Sequence, residues 1–303
     1  MADYTSLLRD IRSRCPDVEI LEKEPMSRHC SFRIGGACDA MISPGSLEEV
    51  EAIVRLLRQV GEEPLLIGKG TNLLVTDQPL HRIVLRMGER FAAITQPDEH
   101  TLTAQSGVSL AQLATAAAAR SLGGLEFAHG IPGTLGGAVS MNAGAYGGEM
   151  KDVVASVTWL DETLTLRESA EVGFSYRHSR FSDTKDVILS ASVRLLPDPE
   201  EFIRSRMRLL MEKRKTSQPL DLPSAGSTFK RPAGGYAAAM IDQAGLKGFA
   251  IGGAQVSPKH AGFVVNTGNA TCEDVRRLMA HIQETVYKAT GILLEPEVKF
   301  IEG

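Results

Sequence analysis

The chain has 303 residues, 43% hydrophobic and 23% charged, with a formal net charge of −4. That composition suits a soluble globular protein of two or three domains. The charge is slight and no block of like charges occurs, which argues against nucleic-acid and acidic-membrane partners.

Nothing in the sequence approaches the roughly eighteen apolar residues of a membrane helix. The opening MADYTSLLRDIRSRCPD lacks the apolar core of a signal peptide, so a cytoplasmic protein is expected. Cys15, Cys30, Cys38 and Cys272 form no C-x-x-C pair and read as reduced thiols. No histidine stands at metal-site spacing, and no metal is expected.

Early in the chain, Ser31-Phe-Arg-Ile-Gly-Gly36 sets Arg33 beside a glycine pair, either as a surface arginine on a strand or near a ligand. Ser46 and Glu49 carry a capping-box pattern that opens a helix, with Val50, Ile53, Val54 and Leu57 as its apolar face and Gly61 as its stop. PLLIGKGTNLLV then predicts strand, glycine turn and strand, and IVLRM another strand. The turn fits neither a Walker A loop nor a dinucleotide G-x-G-x-x-G, because a strand follows it. Gly68, Gly70, Thr71 and Asn72 nevertheless offer backbone donors and short polar side chains, the makings of an anion nest.

A second capping box, Ser109 with Gln112, predicts the helix LAQLATAAAARSL. Beyond it runs GIPGTLGGAVSMNAGAYGGE, residues 130–149, with glycines at 130, 133, 136, 137, 144, 147 and 148 and no charge before Glu149. Glycine lets bare N–H groups approach a ligand closely, so this loop suits a pyrophosphate and the edge of a planar cofactor. Two such neutral loops point to a large phosphorylated cofactor held without a helix-dipole site.

VVASVTWL and DVILSASVRLL read as strands, and EEFIRSRMRLLMEKRK as a helix with a solvated basic face. Between the strands, YRHSRF holds Arg177 and Arg180 among aromatics, either an anion-binding segment or an exposed turn. SAGSTFKR sets serines around Gly226 with Lys215, Lys230 and Arg231 nearby; it is either a polar turn or a place where cations ease loss of a serine proton. A short helix in GGYAAAMIDQAGLKG follows, then, in AQVSPKHAGFVVN, a strand entered through a turn. Thr271 and Asp274 cap the last helix over a stripe of Val275, Leu278, Met279, Ile282 and Val286. ILLEPEVKFI closes as a strand on which Glu295 is either a solvent contact or a poised acid. Without a regular βαβ rhythm the fold class is α+β.

Taken in order, SFRIGG, GKGTNLLV, GIPGTLGGAVSMNAGAYGGE, YRHSRF, SAGSTFKRP and LEPEVKF resemble the UDP-N-acetylenolpyruvoylglucosamine reductases, flavoenzymes that complete UDP-N-acetylmuramate for peptidoglycan. The resemblance spans nearly the whole chain. It implies an FAD-binding fold of the vanillyl-alcohol-oxidase type, with subdomains at 1–80 and 81–200, a substrate-binding domain at 201–295, and a strand at 296–303 returning to the first. NADPH would reduce FAD, and hydride would pass to C3 of the enolpyruvyl group.

By motif position Ser227 would protonate C2, while Arg177 and Glu295 would polarise the carboxylate. FAD contacts would fall at Arg33, Gly68, Lys69, Gly70, Thr71, Asn72 and Leu73, and at Gly130, Ile131, Pro132, Gly133, Thr134, Gly136, Gly137, Ala138 and Asn142. Substrate contacts would fall at Tyr176, Lys215, Lys230, Arg231 and His260. Lys69 and Thr71 stand where the family more often has Gly and Ser, and Arg231 where some members have Asn. The short passage from YRHSRF to DVILSASVRLL leaves no room for the tyrosine-bearing insertion of the longer class. A monomer of the shorter class is expected.

Overall fold

The computed structural model describes residues 4–302. They divide into two compact units. The first holds residues up to 22, 39–69 and 82–212; the second holds 23–38, 70–81 and 213 onward.

In the first unit, helices α1 (Thr5–Arg14) and α2 (Leu47–Gln59) share an apolar core with a four-stranded sheet. Its strand order is Glu19–Glu22, Cys38–Ser43, Leu80–Arg86, Leu65–Ile67. The last pairing is parallel, with Leu65 opposite Val84. Ser46 caps α2 as predicted, its side chain accepting from the N–H of Glu49. The return half of the box is displaced: Glu49 Oε2 accepts from Gly45 N at 2.6 Å instead of from Ser46.

A five-stranded antiparallel sheet forms the rest of this unit, in the order Leu166–Ser169, Val154–Leu160, Val187–Arg194, Thr101–Gln105, Ile94–Asp98. Helices α3 (Leu110–Ala118) and α4 (Leu135–Ser140) share its core. Ser109 and Gln112 close a full capping box on α3. Helix α4 lies inside the stretch expected to be loop. Leu135, Ala138 and Val139 are buried, and the N–H groups of Leu135 and Gly136 donate to the carbonyls of Val108 and Ser106. Burial thus overrides glycine's poor helix propensity. A Cβ on Gly136 would stand 2.8 Å from the Ser106 Cβ, so only glycine fits there. Helix α5 (Glu200–Ser217) contributes Ile203 and Met207 to the same core.

The second unit is built on α6 (Ala237–Gln243), α7 (Cys272–Thr290) and a three-stranded antiparallel sheet. Phe32, Ile34 and Leu74 join its core. The predicted stripe of α7 is buried in full, Thr271 and Asp274 complete its capping box, and Gly291 ends it with φ +71°. AQVSPKHAGFVVN forms two strands rather than one, Ala254–Val256 and Val264–Asn266. The turn between them is drawn in by Ser257, whose hydroxyl accepts from the N–H groups of Lys259 and His260.

ILLEPEVKFI is also less regular than predicted. Only Lys299–Ile301 forms a strand, parallel to Leu73–Val75. Pro296, which has no N–H to donate, sits at an isolated antiparallel bridge to Phe229. None of the four cysteines is in a disulfide. Among the described residues, no helix is long and apolar enough to cross a membrane.

Candidate functional site

The loop Gly68–Asn72 leaves the strand Leu65–Ile67 with its backbone N–H groups unmatched: none has an acceptor among the described residues. Two close approaches explain its glycines. A Cβ on Gly68 would stand 2.1 Å from Thr134 Oγ1, and one on Gly70, where φ is +60°, would stand 2.2 Å from the carbonyl oxygen of His29. Lys69 is exposed, while Thr71, Asn72 and Leu73 are half-buried. Asn72 donates its side-chain amide to the Glu297 carbonyl at 3.0 Å, which ties the end of the loop to the C-terminal segment.

In the longer glycine stretch, Ile131 and Gly133 spend their N–H groups on local carbonyls, and Gly133 accepts from Leu110. Gly130, Pro132, Thr134, Gly137 and Ala138 complete this neutral surface around the start of α4. Two buried polar atoms adjoin it without a partner, Ser106 Oγ and His129 Nδ1. Burial pushes the His129 pKa down, which favours the neutral ring, with one nitrogen a donor and the other an acceptor. Donor-rich, without an acidic side chain and adjoined by orphaned polar atoms, these residues fit the FAD implied by the motifs. Neither Ser106 nor His129 belongs to a motif with a functional signature, which is why sequence reasoning passed over them.

The Asn142 side chain is turned to the protein itself. It is fully buried, and its amide protons go to Glu149 Oε2 (2.8 Å) and the Ser175 carbonyl (2.9 Å) while its oxygen accepts from Lys151 N (3.0 Å). No side-chain donor is left for a cofactor. Arg33, at φ +57°, is exposed between buried Phe32 and Ile34.

YRHSRF forms a tight turn closed by Ser175 and His178, which exchange backbone hydrogen bonds. Tyr176 and Arg177 occupy its tip, with the guanidinium 5.1 Å from the ring centroid and Nη2 donating to the Gly144 carbonyl at 3.4 Å. The two arginines have different surroundings. Arg180 stacks on Trp159 at 4.5 Å and faces buried Asp186 at 3.8 Å, a packing role.

In the second unit, the segments carrying Ser227 and Glu295 are tied by one antiparallel bridge. Lys230 N donates to the Glu295 carbonyl (2.8 Å) and Glu297 N to the Thr228 carbonyl (2.9 Å). Ser227 and Glu295 are exposed, and buried Thr228 and Phe229 anchor the stretch between them. Lys230 forms an ion pair with Glu295 Oε1. Arg231 lies over the Tyr236 ring at 4.1 Å. Ser31 and Asn266, which sequence reasoning did not assign, hold SFRIGG in place: Ser31 Oγ donates to the Ser224 carbonyl and Asn266 Nδ2 to the Phe32 carbonyl.

Lys215 lies in the last turn of α5, its carbonyl accepting from Lys259 Nζ. His260, expected at the substrate, spends Nδ1 on the N–H of Gly262 (3.2 Å) and packs edge-on against Phe263.

Gly70→Ala should weaken FAD binding at least about tenfold, because the new Cβ collides with backbone. A fluorescence titration measures this, and wild-type affinity would remove the loop from the cofactor site. Burial lowers the His260 pKa, so the folded chain binds this proton less tightly than the unfolded one. Its stabilising contribution is present above the unfolded value of about 6.5 and is lost as pH falls below it. The melting temperature of His260→Asn, which keeps an acceptor for Gly262, should fall less between about pH 7.5 and 5.5 than that of the parent; equal falls refute this.

Comparison with known proteins covers both units. A family model described as UDP-N-acetylenolpyruvoylglucosamine reductase, C-terminal domain, matches residues 218–301, and one described as FAD binding domain matches residues 38–168. The UDP-N-acetylenolpyruvoylglucosamine reductase of Caldanaerobacter subterraneus subsp. tengcongensis is 46% identical over 280 residues, 92% of each chain. That of Clostridioides difficile is 42% identical over 285 residues, 93% of each. The crystal structure of UDP-N-acetylenolpyruvylglucosamine reductase from Thermus caldophilus superposes with a TM-score of 0.79 at 31% identity, over 94% of this chain and 99% of that one.

Alkyldihydroxyacetonephosphate synthase, 18% identical with a TM-score of 0.51, shares the fold over 65% of this chain and 41% of its own. The architecture is the α+β FAD-binding fold of the vanillyl-alcohol-oxidase type with a C-terminal reductase domain. The chain therefore belongs to the UDP-N-acetylenolpyruvoylglucosamine reductase family and is an FAD-containing oxidoreductase.

Proposed function

We propose that the protein reduces UDP-N-acetylglucosamine enolpyruvate to UDP-N-acetylmuramate with NADPH, in peptidoglycan synthesis. FAD, when bound, supplies the hydride chemistry, accepting hydride from NADPH and giving it to C3 of the enolpyruvyl group. The chain's own residues then manage the charge and the proton. Hydride at C3 leaves an electron pair shared between C2 and the carboxylate. Arg177 steadies that charge with a guanidinium that stays protonated throughout. Glu295 assists as the protonated acid, donating to a carboxylate oxygen. Ser227 gives its hydroxyl proton to C2 and regains one from solvent, so one NADPH and one proton are consumed per product.

Serine is a weak acid, and the strongly basic centre at C2 is what lets it serve. The observation that carries this reading is the bridge tying the Ser227 and Glu295 segments, with the N–H-rich loop at Gly68–Asn72 as the cofactor's seat.

Tyr176, Lys215, Lys230 and Arg231 are proposed to meet the carboxylate, the diphosphate or the nicotinamide cofactor, as exposed or half-buried polar groups on the same segments. The proposed functional division places FAD on 1–80 and 81–200 and substrate on 201–295, with 296–303 returning to the first. It cuts across the compact units, since 23–38 and 70–81 belong with the C-terminal residues. The protein is proposed to be cytoplasmic and monomeric, giving a single-chain mass in light scattering.

Anaerobic NADPH should bleach the bound flavin, and UDP-N-acetylglucosamine enolpyruvate should restore its colour. Reoxidation by oxygen alone would instead identify a flavin oxidase. Ser227→Ala should leave bleaching intact and slow recolouring by about 10²- to 10⁴-fold, the usual reach of general acid catalysis. Arg177→Ala and Glu295→Gln should impair the same half-reaction. Equal loss in both halves would mean damage to folding or FAD binding.

A further inference from the structure

The buried amide of Asn142 touches two turns at once. Its Nδ2 donates to Glu149, which pairs across a short hairpin with Gly144, and to the carbonyl of Ser175, at the base of the turn that carries Arg177. Its oxygen is held by Lys151 N. Gly144 in turn offers its carbonyl to Arg177 Nη2. Both turns contain non-glycine residues in the left-handed region: Asn142 at φ +45°, Tyr146 at +54° and Arg177 at +55°.

Such conformations persist only where the surroundings over-determine them, and they gather at functional sites. Here the determinant is visible, because one side chain bonds to both turns and has no surface exposed. Glu149 adds charge to the arrangement. Hydrogen bonds from Lys151 and Asn142 hold its carboxyl below the usual range, so it stays ionised, and its field acts on Arg177.

We propose that Asn142, acting through Glu149 and the Ser175 carbonyl, is a positioning residue for Arg177. The proposal rests on the reading that Arg177 engages the substrate carboxylate. A forked guanidinium recognises a carboxylate only in a narrow range of orientations, so the turn that carries it has to be fixed. Asn142 meets the need from behind, without touching substrate. The same bonds explain why a residue in a glycine-rich cofactor loop carries a polar side chain that is fully buried.

Asn142→Asp tests this, being nearly isosteric. It keeps the acceptor for Lys151 N, loses both donors and sets a carboxylate against Glu149. The rate of flavin bleaching by NADPH should stay within about twofold of the parent. The rate of flavin reoxidation by UDP-N-acetylglucosamine enolpyruvate should fall at least about tenfold, with a raised KM. Adding Glu149→Gln, whose amide can donate to the new carboxylate, should recover part of that loss. In an Arg177→Ala background, Asn142→Asp should cost nothing further, the mark of residues acting as one.

Equal slowing of both half-reactions, loss of FAD affinity, or an additive loss in the Arg177→Ala background would overturn the proposal and leave Asn142 a stabiliser of the fold. If Arg177→Ala alone leaves substrate reduction intact, the underlying reading of Arg177 falls first. Should Asn142→Asp not fold, Glu149→Ala removes one arm of the brace from a partly exposed site, and the same split between half-reactions is expected.

Discussion

The cofactor loop depends on the absence of two carbon atoms. At Gly68 the threonine that begins α4 occupies the space of a Cβ, and at Gly70 the carbonyl of His29 does. Only hydrogen lets the backbone pass, and because it passes there, a row of N–H groups is left with no partner among the described residues. Unmet backbone donors are costly when sealed away from water. A loop that keeps several of them is organised for an acceptor that arrives later, and an anionic pyrophosphate is such an acceptor.

Buried polar side chains do for the functional loops what apolar packing does for the cores. Asn142 braces the turn of Arg177, Asn266 and Ser31 hold the SFRIGG segment, and Thr228 receives the N–H of Val264 beneath Ser227. In each case a short side chain with little rotamer freedom satisfies backbone groups that an irregular segment cannot pair by itself. Ser179 and Ser182 work alike, both donating to the Ser140 carbonyl at the end of α4. Irregular backbone can therefore be rigid, as a site carried on loops requires.

Regular patterning was legible in the residues. The stripe of α7 and the capping boxes at Ser109 and Thr271 are local features, and local chemistry decided them. Helix α4 was not legible, because Leu-Gly-Gly-Ala-Val-Ser has poor helix propensity and becomes helical through burial and through carbonyls donated by residues 106 and 108. At Ala254–Asn266 the turn and the strand after it were legible, but the strand before it was not, because Ala254–Val256 is only three residues long and is defined by its pairing with Val264–Asn266. At the site, the motifs indicated which segments matter but not which polar atoms point inward. Asn142 and His260 stand in motif-like surroundings, yet both are spent on the protein's own backbone or neighbours. A side chain's hydrogen-bond partners depend on tertiary contacts that no local pattern encodes.

The ion pair between Lys230 and Glu295 sets a condition on the proposed chemistry. To help a substrate carboxylate bear extra charge, Glu295 has to donate a proton, since an ionised glutamate beside a carboxylate would repel it. In the protein alone that carboxyl is paired with Lys230. The pair is exposed, however, with the glutamate side chain 68% accessible, and surface pairs of this kind contribute at most about 1 kcal/mol. A substrate bringing several negative charges competes for the lysine ammonium on favourable terms. Once Lys230 turns to the substrate, the Glu295 carboxyl is released from its counter-ion, and the backbone bridge from Lys230 to Glu295 keeps it in place. On this reading, arrival of the substrate itself frees Glu295 for its proposed role.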